Sequence, residues 1–411
     1  MLLKMAWRSL RRHRSRTLLT AGAMTASVAL LLVTLAIVNG MFDDLLSTST
    51  RQYTGHLVVE AKGYREEMDL YLTLPDPANA LERTMAAPGV IGASPRLRVF
   101  GLLSLGEETA PAEFLGVDPA RERGVTTLQN HLKAGTYSLV PGSGGILIGS
   151  GIARRLAATV GDRLVFLTQA ADGSMANELM TVEGIFETGD FGHDNSLALV
   201  PLPDLQSLMV MEGGIHEISV LTTAPGEAAA VSQGVVAALA GTDGVEVLPW
   251  QRIIPVVAEV IAMYDLSVYI MIFVLYFAAG TVFFNTLTMN FMERKREFAV
   301  MLAVGTAPGM IRWLLLIEAA LMGMIAILLG TGFGFLGSLY LDRVGIDLSG
   351  LISPISYGGA TLLPILHGMI SWGNVRTAAW AMLLVSIVAA LPAIRRVSGI
   401  NPARALQGRE A

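Results

Sequence analysis

The sequence predicts an α-helical membrane protein with four transmembrane helices and a large α+β domain inserted between helices 1 and 2. Composition is the first reason. Of 411 residues, 53% are hydrophobic and 15% charged, against roughly a quarter charged in an average soluble chain. Distribution is the second. Residues 17–42, 266–292 and 377–394 hold no Asp, Glu, Lys or Arg, and residues 313–341 hold only Glu318. About 20 helical residues at ~1.5 Å each cover roughly 30 Å of hydrocarbon, so each segment can cross a bilayer. The last is the tightest fit, with Pro392 near its end. Charge placement is the third. Lys4, Arg8, Arg11, Arg12, Arg14 and Arg16 precede the first span, Arg294, Lys295, Arg296 and Arg312 lie between the second and third, and Arg395, Arg396 and Arg404 follow the fourth. With four spans all three groups fall on one side, so the positive-inside rule puts both termini in the cytoplasm.

The elements follow in order. Residues 1–16 read as a cytoplasmic amphipathic helix, with Leu3, Trp7 and Leu10 facing one way and the arginines the other, as in a helix lying on a membrane. Residues 17–42 are expected to be an uncleaved anchor. Their apolar run exceeds the roughly 7–15 residues of a signal peptide, and "LAIVNGMFDD" lacks a small-x-small cleavage pattern. Residues 43–265 form the exported domain, long enough for its own core. Without cysteine it has no disulfide framework, and packing must hold it.

Within that domain "GHLVVEA", "GGILIGS", "DRLVFLT", "LMTVEGIFE" and "IHEISVLTT" read as strands. "DPANALERTMAA", with Asp76 before its first turn, "SGIARRLAATVG" and "PGEAAAVSQGVVAALAG" read as helices. No period of about 20–50 residues repeats, which argues against a solenoid. Pro249 and Pro255 limit how early the second span, residues 266–292, can begin. Then come residues 293–312 in the cytoplasm, the third span at 313–341, an outer loop at 342–376, the fourth span at 377–394 and a cytoplasmic tail at 395–411. The outer loop, with "SPISYGG" and "LLPILHG", either re-enters the membrane or lies flat on its surface.

No catalytic constellation emerges. "PGSGGILIGSGIARR" is glycine-rich and leads into a helix, but Gly149 is followed by Ser150 and Gly151 rather than the lysine that must reach β and γ phosphates. The glycines serve a tight turn on the exported side, where ATP is scarce. His13, His56, His131, His193, His216 and His367 show no metal-ligand spacing, and "GDFGHDNS" around His193 reads as a polar loop. Ser143, Ser150 and Ser174 lie outside any G-x-S-x-G elbow. Glu318 alone makes a poor proton relay and reads instead as an interfacial carboxylate paired with a basic residue of the preceding loop. The chain is expected to be a non-catalytic membrane subunit with no cofactor of its own and no nucleic-acid partner.

One stretch needs a different explanation. "ERKREFAVMLAVGT" reads as a short helix from residue 293 to 304, ended by Gly305 and Pro308, with Phe298, Met301, Leu302 and Gly305 on one stripe and Glu293, Arg294, Arg296 and Glu297 at its charged leading end. Basic residues at a helix start oppose the dipole, so helix stability does not account for them. Two readings remain: attraction to anionic lipid, or a mixed-charge helix with an apolar stripe offered to a cytoplasmic protein.

That stretch resembles the E-R-x-x-E-[IF]-[GA]-[VI]-[LM]-x-A-x-G segment of FtsX-like and MacB-like ABC transporter permeases. "MAWRSLRRHRSRTLLT" is similar to that family's start, "LLLIEAALMGMIAILLG" to its third span with the typical Glu, and "IRRVSGINPARALQ", with Pro402 and Leu406, to its close. "GILIGSGIARRLAATVGDRLVF" is similar to a recurring piece of its exported domain, which makes residues 43–265 a MacB-like periplasmic core domain. "NGMFDDLLSTSTRQYTGHLVVEAKGY" looks most like the LolC/LolE lipoprotein-releasing branch.

The resemblance implies a subunit of the bacterial inner membrane that pairs with a second permease subunit and sits on cytoplasmic ABC ATPase subunits, which carry the ATP and Mg. By position, Glu293, Arg294, Arg296, Glu297, Phe298, Leu302 and Gly305 would form or shape the ATPase-coupling helix; "LAV" stands where common members read "LRA". The branch implies a lipoprotein substrate and a periplasmic carrier, with a substrate cavity between the first two spans whose mouth Met41, Phe42, Met263 and Tyr264 would line. A MacB-like exporter and an FtsX-like regulator of a cell-wall hydrolase are the rival implications.

Overall fold

The computed structural model describes residues 2–12, 14–347, 355–357, 360–362 and 365–397. The chain divides into two units: Met1–Phe42, Ala262–Leu351 and Ile365–Ala411 form one, Asp43–Ile261 and Ile352–Pro364 the other. His13, the tail residues Pro402, Arg404 and Leu406, and Ser353, Pro354, Gly358 and Gly359 of "SPISYGG" lie outside the described residues.

Among the described residues the first unit is built on six helices, of which α2 and α3 continue beyond its bounds: α1 (Leu2–Arg12), α2 (Arg14–Ser49), α3 (Pro255–Glu293), α4 (Lys295–Ala303), α5 (Pro308–Val344) and α6 (Trp372–Arg396). Helices α2, α3, α5 and α6 are long and apolar enough to cross a membrane. All four overrun the apolar segments that predict them, because an apolar run marks what hydrocarbon can hold whereas backbone hydrogen bonding continues until a cap or proline stops it. Helix α3 starts on Pro255, whose missing N–H would be unbonded at that position anyway.

The four long helices meet along Val28, Leu31 and Leu35 of α2, Phe283 and Leu287 of α3, Ala319 and Ala326 of α5, and Met382 of α6. Lipid gives no hydrophobic drive between helices, so small residues that allow close approach do the work. A Cβ at Gly330 would lie 2.6 Å from Val28 Cβ and 2.9 Å from the Thr25 carbonyl oxygen, and one at Gly334 would lie 2.9 Å from Leu32 Cβ. Helices α2 and α5 therefore touch nearly backbone to backbone. Phe273, Phe277, Leu328 and Leu336 face outward. The predicted outer loop begins and ends on a short ladder, Ile346↔Leu366 and Asp347↔Ile365, and Met369 N–H then donates to the Ala36 carbonyl of α2 at 2.8 Å.

The second unit is a mixed sheet with helices. The strands of its main sheet are β1 (Leu57–Ala61), β2 (Val90–Leu105), β3 (Glu108–Val117), β4 (Leu132–Gly135), β5 (Gly145–Gly149), β6 (Arg163–Gln169), β7 (Met175–Phe186), β8 (Leu197–Pro201), β9 (Glu217–Thr222) and β10 (Val245–Pro249). Their order is β10-β1-β9-β2-β3-β8-β5-β7-β4, and β6 pairs with both β2 and β7. That double pairing closes β2, β3, β8, β5, β7 and β6 into a ring.

The long β2 makes the ring possible: its first half pairs with β9 and residues 102–104 pair with β6. Leu97, Val99 and Leu103 are buried, and Phe114 meets Phe166 edge-on at 4.2 Å. The five predicted strands correspond to β1, β5, β6, β7 and β9, and the three predicted helices to Pro77–Met85, Ser150–Leu156 and Ala228–Ala238. Asp76 precedes the first of these helices without capping it; its carboxylate accepts from Asn79 instead.

Candidate functional site

Helix α4 is set off from α3 by one residue. Arg294 leaves the helical region at φ −94 and ψ 3, which turns its side chain inward. Its Nη1 donates to both carboxylate oxygens of Glu318 on α5, at 2.8 and 2.9 Å. Its guanidinium lies 4.8 Å from the Phe298 ring, and its Nε is 3.6 Å from Glu297. Glu297 in turn accepts from Arg12 of α1 at 2.9 Å. Arg12, Glu297, Arg294 and Glu318 thus form a chain of ion pairs that ties α4 to α1 and to α5.

The far end of α4 is as well defined. Gly305 takes φ +95, its N–H donates to the Leu302 carbonyl at 3.0 Å, and Thr306 N–H donates to Met301 at 2.9 Å. This paired pattern needs a residue free of left-handed strain, and glycine supplies it.

Two expectations need correction. The stripe of Phe298, Met301 and Leu302 is not offered outward: Phe298 and Ala299 are fully buried with Phe291, Ile311 and Leu314, and Met301 and Leu302 pack on the same cluster. An apolar stripe beside α5 and α6 is covered by them before any partner arrives. The outward face carries Glu293, Arg296 and Glu297 with Val300 and Val304, whereas Arg294 is buried. In α1, likewise, the stripe of Leu3, Trp7 and Leu10 does not all face outward but is covered along one edge. Ala6 and Leu10 are buried against the bundle, and Leu3 and Trp7 are exposed.

Toward the other end of α2 and α3 two of the four predicted mouth residues are in contact. The Phe42 and Tyr264 rings are 4.3 Å apart and tilted by 34°, while Met263 is exposed. Along the same helix pair an apolar groove of about 480 Å³ is lined by Leu30, Thr34, Ile270, Met271 and Val274. A second groove, of about 540 Å³, runs between α3 and α6 past Phe273, Phe277 and Leu384.

The glycine-rich decoy is filled by the protein's own carboxylates. Gly142 N–H donates to both Asp204 oxygens, at 2.8 and 3.0 Å, and Glu183 lies where a Cβ on Gly145 would go. An anionic phosphate would be repelled. His193 is more than a polar loop residue: its ring lies 4.3 Å from Tyr53. Sequence reasoning also missed a buried ionic cluster on β2 and β9. Arg96 is fully buried between Glu122 and Glu217, and Arg98 binds Glu217 at 3.1 Å and Glu113 at 3.2 Å. Burial alone would raise the Glu217 pKa, but Arg98, Arg96 and Arg65 outweigh it and bring it down to about 2. "PRLRV", with Arg at alternate positions between Leu97 and Val99, carries the signal that could have found it.

Comparison with known proteins fits this arrangement. The MacB-like periplasmic core domain matches residues 17–238 and the FtsX-like permease C-terminal matches residues 269–402. Fold and matches together define an ABC-transporter permease subunit, an inner-membrane protein with a periplasmic domain. The chain belongs to the MacB-like and FtsX-like permease family, and over nearly its whole length it is similar to proteins of the LolC/LolE type.

The relatives run nearly end to end. The lipoprotein-releasing system transmembrane protein LolC of Neisseria meningitidis serogroup B is 24% identical over 98% of both chains. LolC of Xylella fastidiosa is 28% identical over 92% of this chain and 91% of its own. LolE of Haemophilus influenzae is 23% identical over 94% and 93%.

Proposed function

We propose that this chain passes the work of a separate ATPase subunit to its periplasmic domain and so releases lipoproteins from the inner membrane toward a periplasmic carrier. The observation that carries this reading is the end-to-end similarity to LolC of Neisseria meningitidis. In this reading both termini and α4 are cytoplasmic, a second permease subunit completes the membrane part, and ATP and Mg are bound by the ATPase. Glu293, Arg296, Glu297, Val300 and Val304 form the surface that the ATPase engages, and Arg294, Phe298, Leu302 and Gly305 hold that surface in place. A helix tied to α5 by the buried pair Arg294–Glu318 cannot shift without moving α5 or breaking that pair, which suits it to transmit force.

Cargo chemistry fits the need for such force. Acyl chains resist leaving a bilayer by ~0.8 kcal/mol per buried methylene, and the apolar groove of α2 and α3, below Phe42 and Tyr264, offers them an intermediate surface. Depletion of the chain in its own cells tests the reading. Mature lipoproteins are expected to accumulate in the inner membrane; if they reach their destination at the normal rate, lipoprotein release is wrong while family membership stands.

A further inference from the structure

Immediately after α2 the backbone changes its winding. Thr50–Thr54 is a π-helical turn, closed by Gly55 N–H donating to the Thr50 carbonyl at 2.7 Å. Single π turns hold one residue more than an α turn, and they gather at functional positions. This one is buried on one side, at Thr50, Gln52 and Tyr53. It is pinned to three neighbours: Ser219 Oγ donates to the Thr54 carbonyl at 2.8 Å, Thr127 N–H to the Arg51 carbonyl at 2.8 Å, and Gln52 to the Thr188 carbonyl at 3.4 Å.

Tyr53 points from this turn into the buried ionic cluster. Its hydroxyl donates to Glu113 of β3, and its ring lies 5.6 Å from each of the Arg96 and Arg98 guanidiniums of β2 and against His193. Arg98 carries the connection on to Glu217 of β9, and Arg65 reaches Glu217 and Glu60 of β1. One side chain from the end of α2 therefore touches groups that cross-link adjacent strands β3, β2 and β9, and Arg65 extends those links to β1. Arg98 Nε is buried with no hydrogen-bond partner among the described residues, so the cluster holds one donor that an altered pairing could use.

A cluster that served packing alone would need no tyrosine from a π turn at its centre. Apolar residues of similar volume often stabilise as well as buried ions do. A π turn, moreover, can give up its extra residue to the α winding of α2 that precedes it, which would rotate Tyr53 away from Glu113. These are the properties of a two-state element in contact with the strands it would move.

We propose that Tyr53, carried by the π turn Thr50–Thr54, is the positioning residue through which displacement of α2 reaches strands β3, β2 and β9, by making and breaking its contact with Glu113, Arg96 and Arg98. The proposal rests on the reading of the chain as an ATPase-driven permease. It adds where in the domain the motion enters.

The test uses the full chain with its ATPase subunit in nanodiscs and reads amide hydrogen exchange with and without a non-hydrolysable ATP analogue. In the parent protein, nucleotide is expected to change exchange in residues 94–98, 113–117 and 217–222. Tyr53→Phe keeps the ring and loses the hydroxyl bond, and Glu113→Gln weakens its acceptor. Each is expected to shrink that difference about tenfold, the scale of one charge-assisted hydrogen bond; Tyr53→Phe does so with a melting midpoint within a few degrees of the parent, whereas Glu113→Gln, which also weakens the pairing with Arg98, lowers the midpoint. A structural role alone would move the midpoint and not the nucleotide-dependent difference. The joint is overturned if either variant keeps the full difference, or if the parent shows none. Lipoprotein release measured in the same discs separates the two ideas: a parent that releases nothing, yet whose nucleotide-dependent exchange Tyr53→Phe suppresses, sinks the release reading and leaves the joint standing.

Discussion

Arg294 and Glu318 form a two-point ion pair at 2.8 and 2.9 Å where α3, α4 and α5 meet, and Glu318 is only 1% exposed. A charge left alone in such a place is costly. Arg294→Gln or Glu318→Gln is expected to destabilise the folded protein by about 3–5 kcal/mol, whereas Arg294→Met with Glu318→Leu should recover most of that loss. Denaturation of the purified chain in detergent checks both, and equal losses in the single and double variants would contradict the pairing argument.

Glu297 and Arg12 are also paired, but both are largely exposed. Such a pair contributes at most about 1 kcal/mol, so Glu297→Lys should leave folding intact. If a partner reads the charge on α4, Glu297→Lys abolishes stimulation of the purified ATPase subunit, and adding Arg12→Glu does not restore it. Full recovery in the swapped pair would show that the internal bond alone matters.

The α2–α5 contact predicts opposite fates for two nearby glycines. Gly330→Ala forces a methyl against Val28 and the Thr25 carbonyl and should cost roughly 1–3 kcal/mol. A Cβ at Gly332 meets nothing within 4 Å, so Gly332→Ala should be silent. Yield of folded protein and its thermal midpoint in the membrane extract distinguish them.

His56 gives the periplasmic domain an acid-sensitive slope. Burial, with a smaller push from Arg51, brings its pKa down from 6.5 to about 4. Its Nδ1 accepts the Thr222 N–H at 3.3 Å, and its Nε2 is buried without a partner. The unfolded chain binds the proton more readily than the folded one, so between pH 6.5 and about 4 unfolding takes up a proton and stability falls as pH falls. Above 6.5 the contribution is fully present. A loss of order 2 kcal/mol over that window is expected, and His56→Asn should flatten it in pH-dependent melting.

Cargo contact has a positional signature. A photo-crosslinking residue at Ile270 or Val274, in the α2–α3 groove, should capture the acyl chains of a lipidated substrate. The same group at the exposed Leu336 on α5 should not. Equal labelling at both would reduce the groove to an ordinary lipid-facing surface.

Legibility in the sequence followed the range of the interaction. Strands β1, β5, β6, β7 and β9 were readable because short β-branched runs announce themselves, whereas β2 and β3 were not, since Pro95, Pro111, Arg96 and Arg98 interrupt the expected alternation. The short helix α4 was readable from Gly305 and Pro308, but not the inward turn of Arg294, which depends on a one-residue break against α3.

By itself the sequence determined the four spans, the charge asymmetry around them, the stop of α4 and the need of Glu318 for a basic partner, because each is a property of neighbours along the chain. Only the tertiary structure decided that Arg294 is that partner, 24 positions away, that Arg96 meets Glu217 across 121 positions, and that Phe298 is covered from within rather than offered to another protein. Periodicity records which face of a helix or strand is apolar. It does not record what will cover that face, which is settled when distant segments close on one another.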